Sequence, residues 1–210
     1  MSAVVEPTPS PTAVDGSILT ARGAATRARL LEAAEVVFAE YGWEQASIVK
    51  ITERASVAQG TFYRYWESKQ AIFDDLVEDL NRRVRRAMAE GAARGASRAE
   101  AERYGFEGFF RFTAEHPALY RVIRQAEFAS PDALRRHYEK IAEGYVAALE
   151  GAMARGEVAP ADPELIAYAL MGIGELVGMR WILWADTNEV PPHLIDELMA
   201  FIQRGLGIGR

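Results

Sequence analysis

The chain has 210 residues, half of them hydrophobic, with 24 Lys or Arg against 30 Asp or Glu and a formal net charge of −6. That much apolar material buries a sizeable core and excludes a mostly disordered chain, and the lack of cysteine excludes a disulfide framework or a thiolate zinc site. The acidic total argues against non-specific coating of nucleic acid, but leaves room for a local DNA-binding surface.

In chain order, residues 1–23 carry Pro7, Pro9 and Pro11 among small and polar side chains. They lack the basic start and apolar run of a secretory signal and read as a disordered arm. Leu30, Leu31, Ala34, Val37, Phe38 and Tyr41 then recur at helical spacing, and Gly42 ends that helix. A short helix over 48–55 follows, with Ser47 as its cap. Ser56, Val57 and Ala58 form a tight turn into a second short helix over about 60–65. Ser68 opens a long helix to about Met88, and Gly91 and Gly95 break the chain. Ser97 and Glu100 have capping-box spacing, and the helix they open ends near His116, before Pro117. Ser130, Pro131 and Asp132 start another helix; Asp162, Pro163 and Glu164 repeat that pattern; Pro191 and Pro192 open the last. No alternating strand pattern appears, so the fold class is all-α, with about nine helices. The apolar stretch 165–185 is interrupted by Glu175 and Arg180, which favours a buried helix over a membrane span and a soluble, cytoplasmic protein.

Residues 47–66 read SIVKITERASVAQGTFYRYW. Two short helices joined by a tight turn suit a helix-turn-helix. Phe62 and Trp66, four apart, share a buried face, which leaves Gly60, Thr61, Tyr63, Arg64 and Tyr65 wholly or partly outward, with Gln59 at the leading end. In such motifs the second helix enters the major groove with its N-terminal end toward the bases. Gln reads adenine bidentately and the Thr methyl meets the thymine methyl, while Tyr hydroxyls and Lys69 suit phosphate oxygens.

Residues 26–73, with the core TFYRYWESK at 61–69, resemble the N-terminal domain of the TetR family of transcriptional regulators. The resemblance implies a three-helix DNA-binding domain (24–67), a helical ligand-binding and dimerisation domain (68–210) and a homodimer. By position it assigns DNA contact to Ser47, Gln59, Gly60, Thr61, Tyr63, Tyr65 and Lys69. The chain departs from the family's usual residues at Thr52 (Ala), Ser56 (Gly), Gln59 (Lys), Tyr65 (His) and Trp66 (Phe). Ser56 in that turn must tolerate a left-handed backbone.

The C-terminal part carries no family-wide motif. Its aromatic residues point either to ordinary core or to an apolar effector pocket between helices. The pocket reading takes Phe106, Phe109, Phe110, Phe128, Tyr145, Met171, Glu175 and Trp181 as ligand-binding residues. The layout of 116–184 is loosely similar to fatty-acyl-responsive members of the family, which makes the effector a fatty acid or an acyl-coenzyme A. Arg82, Arg83, Arg85 and Arg86 are then either a solvated face or a phosphate-holding pocket mouth. Small residues at Gly172, Gly174 and Gly178 let helices approach closely, so the helices near 163–185 and 191–206 either pack closely within one subunit or pair with their symmetry mates. Gly174, Gly178, Trp181, Leu194, Leu198 and Phe201 are the interface residues in that reading. Glu175, if buried, needs Arg180, a neighbouring chain or a ligand as its partner.

His116, His137 and His193 are scattered, and no metal-binding, nucleophile or phosphate-loop motif accompanies them. The expectation is therefore a ligand-responsive repressor on an inverted-repeat DNA operator, with no catalytic residues, no metal and no cofactor. The alternatives are a small-molecule-binding co-regulator that has lost DNA binding, or an enzyme. Charge is segregated accordingly: residues 20–70 hold seven Lys or Arg and six Asp or Glu, while 71–210 hold seventeen and twenty-two.

Overall fold

The computed structural model describes residues 12–185 and 189–208. Among them stand nine α-helices: α1 (Ala21–Gln45), α2 (Ile48–Arg54), α3 (Gln59–Phe62), α4 (Lys69–Ala92), α5 (Arg98–Glu115), α6 (Ala118–Ala129), α7 (Pro131–Ala154), α8 (Pro163–Gly178) and α9 (Pro192–Leu206). A π-helical turn, Met179–Leu183, continues α8. The all-α class is as expected from the sequence.

The helix ends follow local chemistry. Thr20, Ser47, Ser97 and Asp162 each accept a hydrogen bond from a backbone N–H in the first turn of their helix, satisfying a donor that has no partner inside it. Ser68 does the same for Ala71. Glu100 reaches back to the Ala96 N–H, completing the capping box one residue before its usual position. Gly42 takes φ 73°, a left-handed value that breaks the regular run of α1.

The chain divides into two compact units. One holds the described residues up to Leu80 together with Ala118–Arg135; the other holds Asn81–Pro117 and the described residues from Arg136. In the first unit, Phe38, Phe62 and Phe73 are fully buried, and Phe73 meets Phe38 and Trp43 edge-on at centroid distances of 5.0 and 5.1 Å. Helix α6 packs along α1 through Leu119, Val122, Ile123 and Ala126, and the Gln125 side chain donates to the Phe38 carbonyl at 3.0 Å.

Two expectations change here. The arm was expected to extend to residue 23, but α1 starts at Ala21 and residues 12–20 are folded. A bridge between Thr12 and Ile18 closes a turn at Gly16, Ala13 and Leu19 are buried, and the Val14 N–H donates to the Arg64 carbonyl at 3.0 Å. Residues 1–11 lie outside the described residues. Gly91 does not break the chain either: it lies inside α4.

Gly91 belongs to a seam of close approach in the second unit. A Cβ on Gly91 would stand 2.1 Å from the Tyr104 carbonyl oxygen, and one on Gly108 would stand 2.5 Å from that of Ala87. The α4 and α5 backbones are therefore in near contact, and only glycine fits between them. Gly108→Ala should lower unfolding free energy by about 1–3 kcal/mol. Gly144→Ala, mid-helix in α7 with nothing within 4 Å of its Cβ, should raise it by about 0.5–1 kcal/mol. Urea denaturation of the two variants beside the parent chain checks both signs.

Candidate nucleic-acid interface

Helix α3 has four residues and no side-chain cap. What holds it is what surrounds it. Phe62 is fully buried, with the Trp66 ring tilted against it at 5.7 Å. The Trp66 indole N–H donates to Asp75 Oδ2 at 2.8 Å, and the same oxygen pairs with the Arg27 guanidinium, which also lies over the Trp66 ring at 4.9 Å. One carboxylate of α4 thus ties α1 to the end of the reading segment. A phenylalanine at 66 would make no such hydrogen bond, so this departure from the usual family residue has a structural use.

The turn before α3 has the geometry that its sequence implies. Ser56 adopts φ 54°, its N–H donates to the Glu53 carbonyl, and the Val57 N–H donates to that of Thr52. Thr52 is buried and donates its hydroxyl to the Val49 carbonyl at 3.0 Å, within its own helix. Gln59, Gly60, Tyr63 and Arg64 are exposed and Thr61 is half-buried, so the outward row is present, although α3 ends at Phe62 rather than near Tyr65 and Tyr63 and Arg64 stand in the turn after it. Ser47 accepts from the Lys50 N–H at 3.2 Å as the cap of α2.

Two of the candidate residues are placed differently. Tyr65, expected outward, is only 7% exposed and packs on Trp66. After Phe62 the chain tightens: Arg64 bonds back to Thr61 and Tyr65 to Phe62, which turns Tyr65 inward from its α-helical direction. Lys69, expected at a phosphate, donates from Nζ to the carbonyls of Trp43 (2.7 Å) and Ala46 (3.2 Å) and lies 4.3 Å from the centre of the Trp43 ring. It satisfies carbonyls that the end of α1 leaves unpaired.

With this geometry in view, comparison with known proteins is direct. Residues 30–76 match the family model for bacterial regulatory proteins of the tetR family. Over that segment the chain is similar to the TetR family. Among its relatives is the HTH-type transcriptional regulator YdgC of Bacillus subtilis, 38% identical over 68 residues, which span 32% of this chain and 35% of that protein. The fatty acid metabolism regulator protein of the same organism is 28% identical over 129 residues, covering 61% of this chain and 66% of its own length. A TetR-like transcriptional regulator from Rhodococcus sp. RHA1 superposes with a TM-score of 0.69 at 28% identity, over 89% of this chain and 98% of that one.

The second unit holds most of the residues considered for an effector. Phe106 and Phe110 are buried with ring centroids 5.9 Å apart, and Phe109 is half-buried against Phe110 at 5.7 Å. Gly174 of α8 faces them: its Cβ would stand 3.4 Å from the Phe106 ring. Met171 and Trp181 are half-buried. The Glu175 carboxylate, whose partner the sequence left open, accepts from the Tyr138 hydroxyl at 2.9 Å. Phe128 departs from this group. It sits on α6 in the other unit and is 85% exposed, because the buried face of α6 is made by Leu119, Val122, Ile123 and Ala126.

Sequence reasoning missed Glu102. It is buried and pairs with Arg98 one turn earlier, and it takes a hydrogen bond from Tyr145. Burial pushes its carboxyl above the ordinary value against the pull of Arg98, and burial beside Glu102 pushes the Tyr145 hydroxyl well up. The i, i+4 spacing of Arg98 and Glu102 is visible in the sequence, but looks like an ordinary surface pair. The arginine run does not converge on one point: Arg83 meets His116, Arg85 donates to Asn81, and Arg86 pairs with Glu90.

The interface candidates divide by the face of α8 they occupy. Gly174 and Gly178 are buried within their own unit, while Leu194 and Leu198 are half-buried. The outward face of α8 carries Leu165 (68% exposed), Tyr168, Gly172 and Leu176 (63%), and α9 adds Phe201 (59%). The stretch Pro163–Leu183 is long and apolar enough to cross a bilayer by composition, with only a third of its most apolar window buried.

Because Lys69 anchors the end of α1, Lys69→Ala should lower stability by about 1–3 kcal/mol, whereas Tyr63→Ala, exposed just after α3, should stay within about 0.5 kcal/mol of the parent. Thermal and chemical denaturation of both variants gives the comparison.

Proposed function

We propose that this chain is a TetR-family, ligand-responsive transcriptional repressor that binds an inverted-repeat DNA operator as a homodimer in the cytoplasm, and that it is not an enzyme. One observation carries the reading: Gln59, Gly60 and Thr61 of α3, with Tyr63 and Arg64 of the turn that follows, form an accessible row fixed from behind by Phe62 and Trp66. Gln59 stands at the leading end of that helix, where a base edge is read bidentately. A two-fold dimer offers two such helices to successive major grooves roughly 34 Å apart, which is why the operator is an inverted repeat.

The dimer forms through the outward face of α8, where Leu165, Tyr168, Gly172 and Leu176 follow one helical stripe, with exposed Phe201 adding from α9. Gly172 replaces Gly174 as the small residue of the interface, since Gly174 already packs on Phe106. A second copy would take these exposed apolar side chains out of water.

The effector is an apolar molecule bound among Phe106, Phe109, Phe110, Met171 and Trp181, with Glu175 and Tyr138 as polar neighbours. Similarity to a fatty acid metabolism regulator supports a fatty acid over an acyl-coenzyme A, because Arg83, Arg85 and Arg86 are each engaged elsewhere. Such a ligand acts only by preferring one of two conformations, and a switch from mostly bound to mostly released DNA needs about 5 kcal/mol of preference.

Operator selection from random duplexes should return an inverted repeat, and Gln59→Ala with Tyr63→Ala should weaken binding to it at least about tenfold. Equal affinity for the variant would remove α3 as the reading element. Native mass spectrometry of the purified protein should show a dimer carrying an apolar adduct, with Leu176→Arg shifting it to monomer mass. A bare monomer from the parent chain would contradict both the interface and the effector.

A further inference from the structure

Beside the reading helix, and wholly within the same unit, lies a groove of about 330 Å³. Its walls include Arg22, Thr26 and Arg29 of α1, Thr61 of α3 and Arg64 of the turn after it. Arg22, Thr26 and Arg29 are spaced i, i+4, i+7, so they stand above one another on one face of α1. Arg27, on the same helix, points elsewhere and is committed to Asp75 and the Trp66 ring. Arg22 and Arg29 are exposed, and among the described residues neither has an acidic partner. Arg64 is held at the groove by its carbonyl, which accepts from the Val14 N–H of the folded 12–20 segment. The Asp15 carboxylate, which attracts Arg64 weakly, is turned to the Ser17 N–H at 2.9 Å.

We infer that this groove is a second DNA contact, in which Arg22, Arg29 and Arg64 grip phosphates of the duplex that α3 reads. The inference rests on the proposed DNA binding. Three arginines lining one concave surface match phosphate oxygens, which guanidiniums meet in bidentate pairs. Seven residues of helix separate Arg22 from Arg29 by about 10 Å along the axis of α1, too far for both side chains to share one phosphate from the same height, so they meet different phosphates. Contacts of this kind set orientation and affinity and carry no sequence information, so the groove complements the base-facing row at α3.

The test uses full-length protein and a labelled mixed-sequence 30-base-pair duplex, with fluorescence anisotropy followed from about 50 to 200 mM KCl. For Arg22→Ala with Arg29→Ala, the slope of log affinity against log salt should fall by about 2, with similar losses on cognate and mixed-sequence DNA. Arg22→Lys with Arg29→Lys should restore most of that slope. Arg155→Ala with Arg204→Ala, which removes the same charge from the other unit, should leave the slope within about 0.5. An unchanged slope in the groove variant, or an equal fall in the charge control, overturns the groove while leaving α3 as the reading element. Failure of the parent chain to bind any duplex overturns the DNA-binding reading itself. If inorganic phosphate raises the melting temperature of the parent but not of the groove variant, while the DNA slopes of the two coincide, the site belongs to a free anion and the inference fails. Matching circular dichroism spectra establish that the variants are folded.

Discussion

A helix of four residues cannot hold its own shape in water, because the nucleation cost is never recovered over so few hydrogen bonds. Everything around α3 answers that constraint. Phe62 is driven into a core already occupied by Phe38, Phe73 and Trp43, and Trp66 closes over it. Asp75 then fixes Trp66 from α4 and Arg27 from α1 with one carboxylate. Burial of two aromatic side chains supplies several kcal/mol at the usual apolar coefficient, far more than propensity gives such a short segment. The exposed residues of α3 therefore sit on a rigid base although they barely form a helix.

The same economy appears in how cations are used. Lys69 is a cap for the end of α1, Arg27 is a cross-brace, and Arg98 neutralises a buried glutamate. All are basic residues in or near helices, and their sequence context does not separate them from Arg22 or Arg29. Only the placement of a carbonyl or a carboxylate beside each one does. A chain of net charge −6 thus keeps for its groove a small set of cations that lack acidic partners among the described residues.

Much of the head was legible in the sequence. The turn at Ser56 with its left-handed backbone, the caps at Ser47, Ser97 and Asp162, the break at Gly42 and the outward row from Gln59 to Arg64 all follow from local chemistry. Tyr65 was misplaced because its direction depends on where α3 tightens from i, i+4 to i, i+3 bonding, a difference of one residue. Gly91 was misread because a helical glycine and a chain-breaking glycine look alike until the opposing backbone is known. The packing of α6 on α1 and the folding of residues 12–20 rest on contacts between distant residues or on a few small apolar ones, which no periodicity announces. In α8 the stripe of small residues was found, but its register was not: Gly172 and Gly174 lie on different faces, and only the Phe106 ring tells them apart.

The glycine seam between α4 and α5 has a mechanical meaning. Two backbones in direct contact, with no side chain between them to change rotamer, have no compliance: one helix cannot shift toward the other, and sliding carries Gly91 and Gly108 into side-chain-bearing neighbours. A different face of α5 carries Phe106, Phe109 and Phe110, whose rings turn about two torsions each and meet α8 at Gly174. This unit thus joins one stiff contact, between α4 and α5, to one yielding contact, between α5 and α8.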